Sequence, residues 1–246
     1  MSSSNVSNSS ASKITLPPLS LYIHVPWCVR KCPYCDFNSH EFKGKSAEET
    51  IPEAEYVQAL LDDLETDLAY VQGREIQTIF IGGGTPSLLS VEAYKYLLAG
   101  LQEKVSFVKN IEITMEANPG TFEAEKFAGY RKLGINRLSI GVQSFADHQL
   151  KHLGRIHDGQ QAVTAIKMAK EAGFDNFNID LMHGLPDQSQ AQALADIQQA
   201  IDLGPTHLSW YQLTIEPNTE FFKRPPVLPE DETLWDIQEA GQALLA

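Results

Sequence analysis

The sequence predicts an α/β protein built on a parallel sheet, and three observations lead there. Apolar runs of strand length alternate six times with helical patterns after residue 20. Serial βα units of this kind pair their strands in parallel through right-handed crossovers. The unusual polar residues fall just after the strands, where parallel α/β folds build their working sites. Periodicity alone does not choose between an open doubly wound sheet and a full or partial (β/α) barrel.

The elements follow in order. Residues 1–19 are rich in serine and predict a disordered tail. They lack the basic start and apolar core of a secretory signal, and no arginine precedes Arg30, as a transit peptide would require. The first strand falls at 21–27 and runs directly into Cys28. Over 54–71, Val57, Leu61, Leu64 and Leu68 recur at steps of three and four, which places them on one helical face. Further strands are predicted at 78–82, 111–117, 137–143, 176–182 and 207–213. Helices are predicted at 90–103, 122–133, 158–172 and 189–203, with Gly134 and Gly173 as C-caps of two of them. The domain therefore spans 20–246. Its last helical pattern, 230–246, meets no stop signal, which predicts a C-terminal domain beyond this chain.

Composition narrows the function. The chain has 246 residues, 43% of them hydrophobic, enough for one large core. There is no 18-residue apolar run, so no integral membrane segment is expected. A net charge of −13 disfavours nucleic acid as a partner, since that binding rests on phosphate neutralisation. Three cysteines cannot all pair, which argues against a disulfide framework and for the reducing cytoplasm.

All three cysteines fall in one window, Cys28-Val-Arg-Lys-Cys32-Pro-Tyr-Cys35. Thiolates are soft ligands that suit iron–sulfur clusters or zinc. A structural zinc site takes four protein ligands, here completed by His24 or His40. A cube held by three thiolates leaves one iron open. A redox pair at Cys32-Pro-Tyr-Cys35 is the third reading. One strand later, Gly82-Gly83-Gly84-Thr85-Pro86 forms a tight βα turn without the lysine or spacing of a P-loop. Glu116, Gln143 and Asp180 sit at or near the ends of later strands, either as caps or as contacts to a ligand. Arg155, in Leu153-Gly-Arg, is either a surface charge or a partner for a carboxylate. The histidines are left unassigned, and Trp27, Trp210 and Tyr211 are read as packing or pocket-lining groups.

The cysteine window followed by Gly-Gly-Gly-Thr-Pro resembles the radical S-adenosylmethionine superfamily. More narrowly, Tyr22-Ile-His-Val-Pro-Trp-Cys28, Glu116-Ala-Asn-Pro119, Ser139-Ile-Gly-Val-Gln-Ser144, Leu153-Gly-Arg155 and Asp180-Leu-Met-His-Gly-Leu-Pro186 resemble the oxygen-independent coproporphyrinogen III oxidase family. The resemblance covers about residues 20–220. It implies a partial (β/α)6 TIM-like barrel, a 4Fe–4S cluster on Cys28, Cys32 and Cys35, and bound S-adenosylmethionine whose amine and carboxylate chelate the fourth iron. It further implies that Tyr22, Tyr34, Gly83, Gly84, Thr85, Glu116, Gln143, Arg155 and Asp180 line that cofactor.

One position departs from the oxidases. They carry a fourth cysteine two residues after the third, and Phe37 stands there in this chain. The Cys35-Asp-Phe-Asn-Ser39 form resembles the sister group of heme chaperones, which bind heme and pass it to apo-hemoproteins. The alternative within the same resemblance is the oxidase itself, which decarboxylates the propionates of coproporphyrinogen.

Overall fold

The computed structural model describes residues 15–43, 50–121 and 124–246. Most of the predicted serine-rich tail and the first two residues of the predicted third helix lie outside the described residues. The chain runs β1 (Leu19–Val25), β2 (Trp27–Cys28), β3 (His40–Glu41), α1 (Glu53–Val71), β4 (Ile76–Gly83), α2 (Val91–Lys104), β5 (Phe107–Ala117) and α3 (Ala124–Lys132). It continues through β6 (Arg137–Gln143), α4 (Asp147–His152), α5 (Gly159–Glu171), β7 (Phe177–His183), α6 (Gln190–Asp202), β8 (His207–Gln212), α7 (Glu220–Lys223) and α8 (Asp231–Leu245).

Strand order resolves the choice that periodicity left open. Six strands form one parallel sheet in the order β1-β4-β5-β6-β7-β8. A doubly wound sheet reverses direction at a switch point; this sheet never does. Each right-handed crossover steps the same way, so the helices gather on one face and the sheet curls around the other. Neighbouring helices pack in series, α1 on α2, α2 on α3 and α3 on α5. Among the described residues β1 and β8 are unpaired edges, which makes the barrel partial.

Side chains alternate across each strand, and here the alternation separates core from cavity. Ile79, Ile81, Met115, Leu138, Ile140, Ile179 and Leu181 face the helices and form the buried core. Their neighbours Glu116, Arg137, Ser139, Asn178, Asp180 and Ser209 point to the other side and line a cavity. Parallel strands buried on both faces usually read as continuous apolar runs; these polar insertions mark an interior that is not a packed core.

The helices start and stop where their sequences direct. Asp158 with Gln161, and Ser189 with Gln192, form reciprocal capping boxes at the starts of α5 and α6. Gly134 and Gly173 adopt φ of 100° and 88° beyond α3 and α5, as C-caps do. The short helices α4 and α7 and the two-residue strands were not predicted, because they are too brief to carry a period. A second small apolar cluster, Leu153, Met182, Leu185, Leu213 and Phe221, packs against Tyr34. There the Phe221 amide donates to the Pro33 carbonyl at 2.9 Å, bracing the cysteine loop from α7. No helix among the described residues is long and apolar enough to cross a membrane.

Two fully buried tyrosines hold the segment after the glycine turn. Tyr94 donates to the Pro86 carbonyl at 2.8 Å, and Tyr130 donates to the Leu89 carbonyl. Removing the Tyr94 hydroxyl leaves the Pro86 carbonyl with the Leu89 amide alone, at 3.2 Å, a loss of about 0.5–1.5 kcal/mol. Tyr94→Phe is therefore expected to lower the urea midpoint by that equivalent; an unchanged midpoint would show that this bond does not hold the turn.

Candidate functional site

A cavity of about 630 Å³ opens at the C-terminal ends of the strands. Cys28, Cys32, Cys35, Tyr34, Gly83, Gly84, Thr85, Glu116, Gln143, Arg155 and Asp180 all line it. Tyr22 does not. Its ring stacks on Phe80, which does line the cavity, and its hydroxyl is engaged with His24 Nδ1 at 2.9 Å.

The cysteine loop is closed by its own backbone. Trp27 and Cys28 pair with His40 and Glu41, and the His40 and Phe42 amides donate to the Pro26 and Cys28 carbonyls. Lys31 donates to the Phe37 and Ser39 carbonyls, each at 2.9 Å, so this lysine staples the loop. Arg30 remains at the cavity wall. All three cysteines are free thiols; Cys28 is buried, and Cys32 and Cys35 are half-buried. Burial pushes the Cys28 thiol up, while the Thr85 and Ser39 hydroxyls pull the other way.

The two histidines considered as a fourth ligand are not placed for it. The Nε2 of His24 lies 2.7 Å from the Asn38 carbonyl, which can only accept, so that nitrogen carries the proton. Nδ1 then accepts from Tyr22, and both ring nitrogens are spent. His40 is exposed and does not line the cavity. Among the described residues no three His, Cys, Asp or Glu side chains converge on one ion.

The glycine turn serves a purpose the sequence reading did not assign. A Cβ at Gly83 would stand 2.6 Å from the His24 ring, and one at Gly84 would stand 2.5 Å from the Trp27 carbonyl oxygen. Gly83 also takes φ of 114°, which favours glycine. The glycines therefore let the end of β4 press against the segment leading into Cys28. Successive amides seal the contact. Gly84 donates to Val25 at 2.6 Å and Thr85 to Trp27 at 2.7 Å, while Gly83 donates to Glu116 Oε2 at 3.0 Å. With these amide donors used internally, the turn is no anion nest. What it can offer a ligand is carbonyl acceptors, suited to a cation.

The carboxylates repeat that polarity. Burial raises the Glu116 pKa to about 7, with the nearby Asp180 charge adding and the Gly83 amide opposing. Among the described residues no basic side chain bonds to Glu116. Asp180 is also raised by burial, and hydrogen bonds from Ser139, Ser209 and Asn178 act against the rise. Ser139 donates to one Asp180 oxygen at 2.9 Å and Asn178 to the other at 2.7 Å. Ser139, Asn178 and Ser209 escaped the sequence reading; their signal was polar residues at inward steps, Arg137 and Ser139 in β6 and Asn178 and Asp180 in β7, between apolar outward steps.

Gln143 owes its position to a bulge. The register between β6 and β7 slips between Gly141 and Gln143, and Gln143 takes φ of 71°. Arg155 Nη2 donates to the Gly141 carbonyl at 2.6 Å, and His157 Nε2 donates to Val142 at 3.1 Å, gripping the bulge from one loop. Burial pulls the His157 pKa down to about 4, so the ring stays neutral. The Gln143 side chain accepts from the Tyr211 hydroxyl at 2.8 Å. Arg155 Nη1 lies 3.5 Å from Cys32 Sγ and 3.4 Å from Tyr34 Oη, and among the described residues its buried Nε has no hydrogen-bond partner.

Residues 22–200 match the family described as the Radical SAM superfamily. The chain belongs to that superfamily. Membership implies a 4Fe–4S cluster and S-adenosylmethionine. Among curated proteins, the chain is 62% identical over 232 residues to the heme chaperone HemW of Escherichia coli strain K12, covering 94% of this chain and 60% of the relative. It is 57% identical over 234 residues to HemW of Haemophilus influenzae, with the same coverages of 94% and 60%. The chain thus spans about 60% of the length of these relatives. Among solved structures it matches coproporphyrinogen III oxidase (HemN) from Escherichia coli, described as a radical SAM enzyme, with a TM-score of 0.77 and 29% identity, covering 93% of this chain and 52% of that one. Methylornithine synthase (PylB) shares the fold at 12% identity, with a TM-score of 0.59, over 91% of this chain and 63% of that one.

The residues present fit the two groups that membership implies. Three free thiols from one loop face the cavity, and no histidine is placed to close a zinc site. A buried guanidinium nitrogen and a raised carboxylate, neither ion-paired among the described residues, suit the two ends of an amino acid.

Two measurements test this geometry. Gly84→Ala drives a Cβ into the Trp27 carbonyl, a backbone atom that cannot rotate away. The expected loss is about 1–3 kcal/mol in urea unfolding; wild-type stability would mean that the contact is loose. Glu116 binds its proton more tightly in the folded chain than in the unfolded one. Its contribution to stability is therefore full below its ordinary value of 4.5 and is lost as pH rises towards 7. Glu116→Gln is expected to flatten the decline between pH 5 and 8 by on the order of 2–3 kcal/mol in the cofactor-free chain. Equal slopes for the two proteins would contradict the burial of that charge.

Proposed function

We propose that this chain is the cluster- and cofactor-binding barrel of a cytoplasmic heme chaperone, with Cys28, Cys32 and Cys35 as the ligands of a 4Fe–4S cluster. The observation that carries the reading is the meeting of three free thiols, the glycine turn and the Arg155–Glu116 pair around one cavity in a chain 62% identical to a protein named heme chaperone. When bound, the cluster and S-adenosylmethionine supply one-electron cleavage of a sulfonium carbon–sulfur bond.

The chain's own residues bind and orient. Arg155 offers Nε to the cofactor carboxylate. Glu116 and the carbonyls of the glycine turn accept from its ammonium, and the ligand's charge draws Glu116 to its ionised form. Asp180, fixed by Ser139 and Asn178, presents its remaining lone pairs to hydroxyl groups. Gln143 and Tyr211 close the wall beside them as one hydrogen-bonded pair. Tyr22 acts at one remove, through Phe80 and through His24, whose Nε2 holds the Asn38 carbonyl of the cysteine loop.

The relatives' name, heme chaperone, supports heme as the ligand, and an apo-hemoprotein client is proposed from the resemblance of the cysteine loop to that group. Phe37 supports the chaperone over the oxidase: it lines the cavity, is 60% exposed, and offers no sulfur where the oxidases carry a fourth cysteine. The test is anaerobic reconstitution with iron and sulfide, followed by hemin titration. About four irons per chain, broad visible absorption, and loss of both in Cys28→Ser, Cys32→Ser or Cys35→Ser are expected. Hemin is expected to bind without any conversion of coproporphyrinogen to a vinyl product. A colourless protein holding one zinc would overturn the cluster, and vinyl product would overturn the chaperone.

A further inference from the structure

We propose that Arg155 sets the reduction potential of the cluster by donating a hydrogen bond from Nη1 to the sulfur of Cys32. The inference rests on the cluster assignment above and concerns what one side chain does to it.

The guanidinium is held rather than swinging. Nη2 is tied to the Gly141 carbonyl at 2.6 Å, and Nη1 lies between Cys32 Sγ at 3.5 Å and Tyr34 Oη at 3.4 Å. The loop that carries it is wedged under the cysteine loop. Gly154 takes φ of 67°, and a Cβ there would stand 2.7 Å from the Pro33 ring, so the two loops meet where only glycine fits. Arg155 Nη1 is therefore positioned by backbone contacts on both sides.

Arg155 is always charged, and among the described residues no carboxylate forms an ion pair with it. Among the described residues, then, no ion pair draws its charge away from Cys32. The other two thiols receive only neutral donors: Cys28 has the Thr85 and Ser39 hydroxyls, and Cys35 has Ser39 at 3.7 Å. Among the described residues, one thiol has a charged hydrogen-bond donor and two have neutral ones.

An electron entering from an external reductant adds one negative charge to the cluster, spread onto its sulfurs, with no bond made or broken in the protein. A donor and a positive charge at one sulfur stabilise that added charge and raise the potential. The same guanidinium keeps a free Nε. A carboxylate bound there draws on the same charge, so carboxylate binding and reduction are linked through one side chain, each weakening the other through this arm by the same factor.

The experiment is a dithionite titration of the reconstituted full chain, followed by the electron paramagnetic resonance of the reduced cluster. Arg155→Gln is expected to shift the potential in the negative direction. Arg155→Lys, which keeps the charge and loses the fork, is expected to fall between that variant and wild type. A loaded Arg155→Gln cluster with the wild-type potential would overturn the proposal. Failure of the wild-type chain to load any cluster would instead overturn the reading beneath it. A second measurement needs no Arg155 variant: reduced protein labelled with 15N-arginine is expected to show a 15N hyperfine coupling that persists in Arg30→Gln. Absence of that coupling would overturn the hydrogen bond directly.

Discussion

The close approach of two backbone segments organises this protein. The end of β4 lies against the exit of β1 so tightly that Gly83 and Gly84 have no room for a side chain, and two amide hydrogen bonds lock the contact. The cysteine loop begins one residue beyond that lock. Its far side is held by Gly154 against Pro33 and by Phe221 bonding to the Pro33 carbonyl. The loop is thus fixed from β4, from the β6–α5 connection and from α7, three elements far apart in the chain. A flexible loop would have to be ordered at each binding event; this one is ordered in advance, which lowers the cost of holding a ligand.

Below the loop, the barrel interior is charged and polar where a barrel is usually filled with packed side chains. Two carboxylates, Glu116 and Asp180, stand there with no cation hydrogen-bonded to them among the described residues. Burial lifts both, Glu116 to about 7, while the Arg137 charge acts against the rise at Asp180. Arg155 is the opposite pole, with one nitrogen unsatisfied. A zwitterion can answer both poles at once. The bulge at Gly141–Gln143 ties the two halves, because the side chain that grips it also touches the cysteine loop.

Much of this was legible in the sequence. Six strands and the helices between them announced themselves through period, and the cysteine window and glycine turn announced the site through spacing. The partial barrel came through the family resemblance of those motifs rather than through period, because strand order depends on pairing between distant segments; β1 beside β4 and β8 at the far edge cannot be read from local pattern. The glycines were legible as a tight turn, yet the surfaces they press against, His24 and Trp27, belong to another strand. Ser139, Asn178 and Ser209 looked like ordinary strand residues until the curl of the sheet turned them onto one carboxylate. Tyr22 was nominated for the cavity by its motif, and the structure gives its hydroxyl to His24 instead.

In the proposed site, three thiolates would leave one iron open, to be met by a zwitterion held between Arg155 and Glu116. Electron–nuclear double resonance on the reduced, reconstituted chain tests that most directly, using S-adenosylmethionine labelled with 15N at the amine and 17O at the carboxylate. The account predicts hyperfine coupling from both labels, each weakened when Glu116 or Arg155 is replaced. Coupling from neither label in a fully loaded wild-type cluster would contradict it.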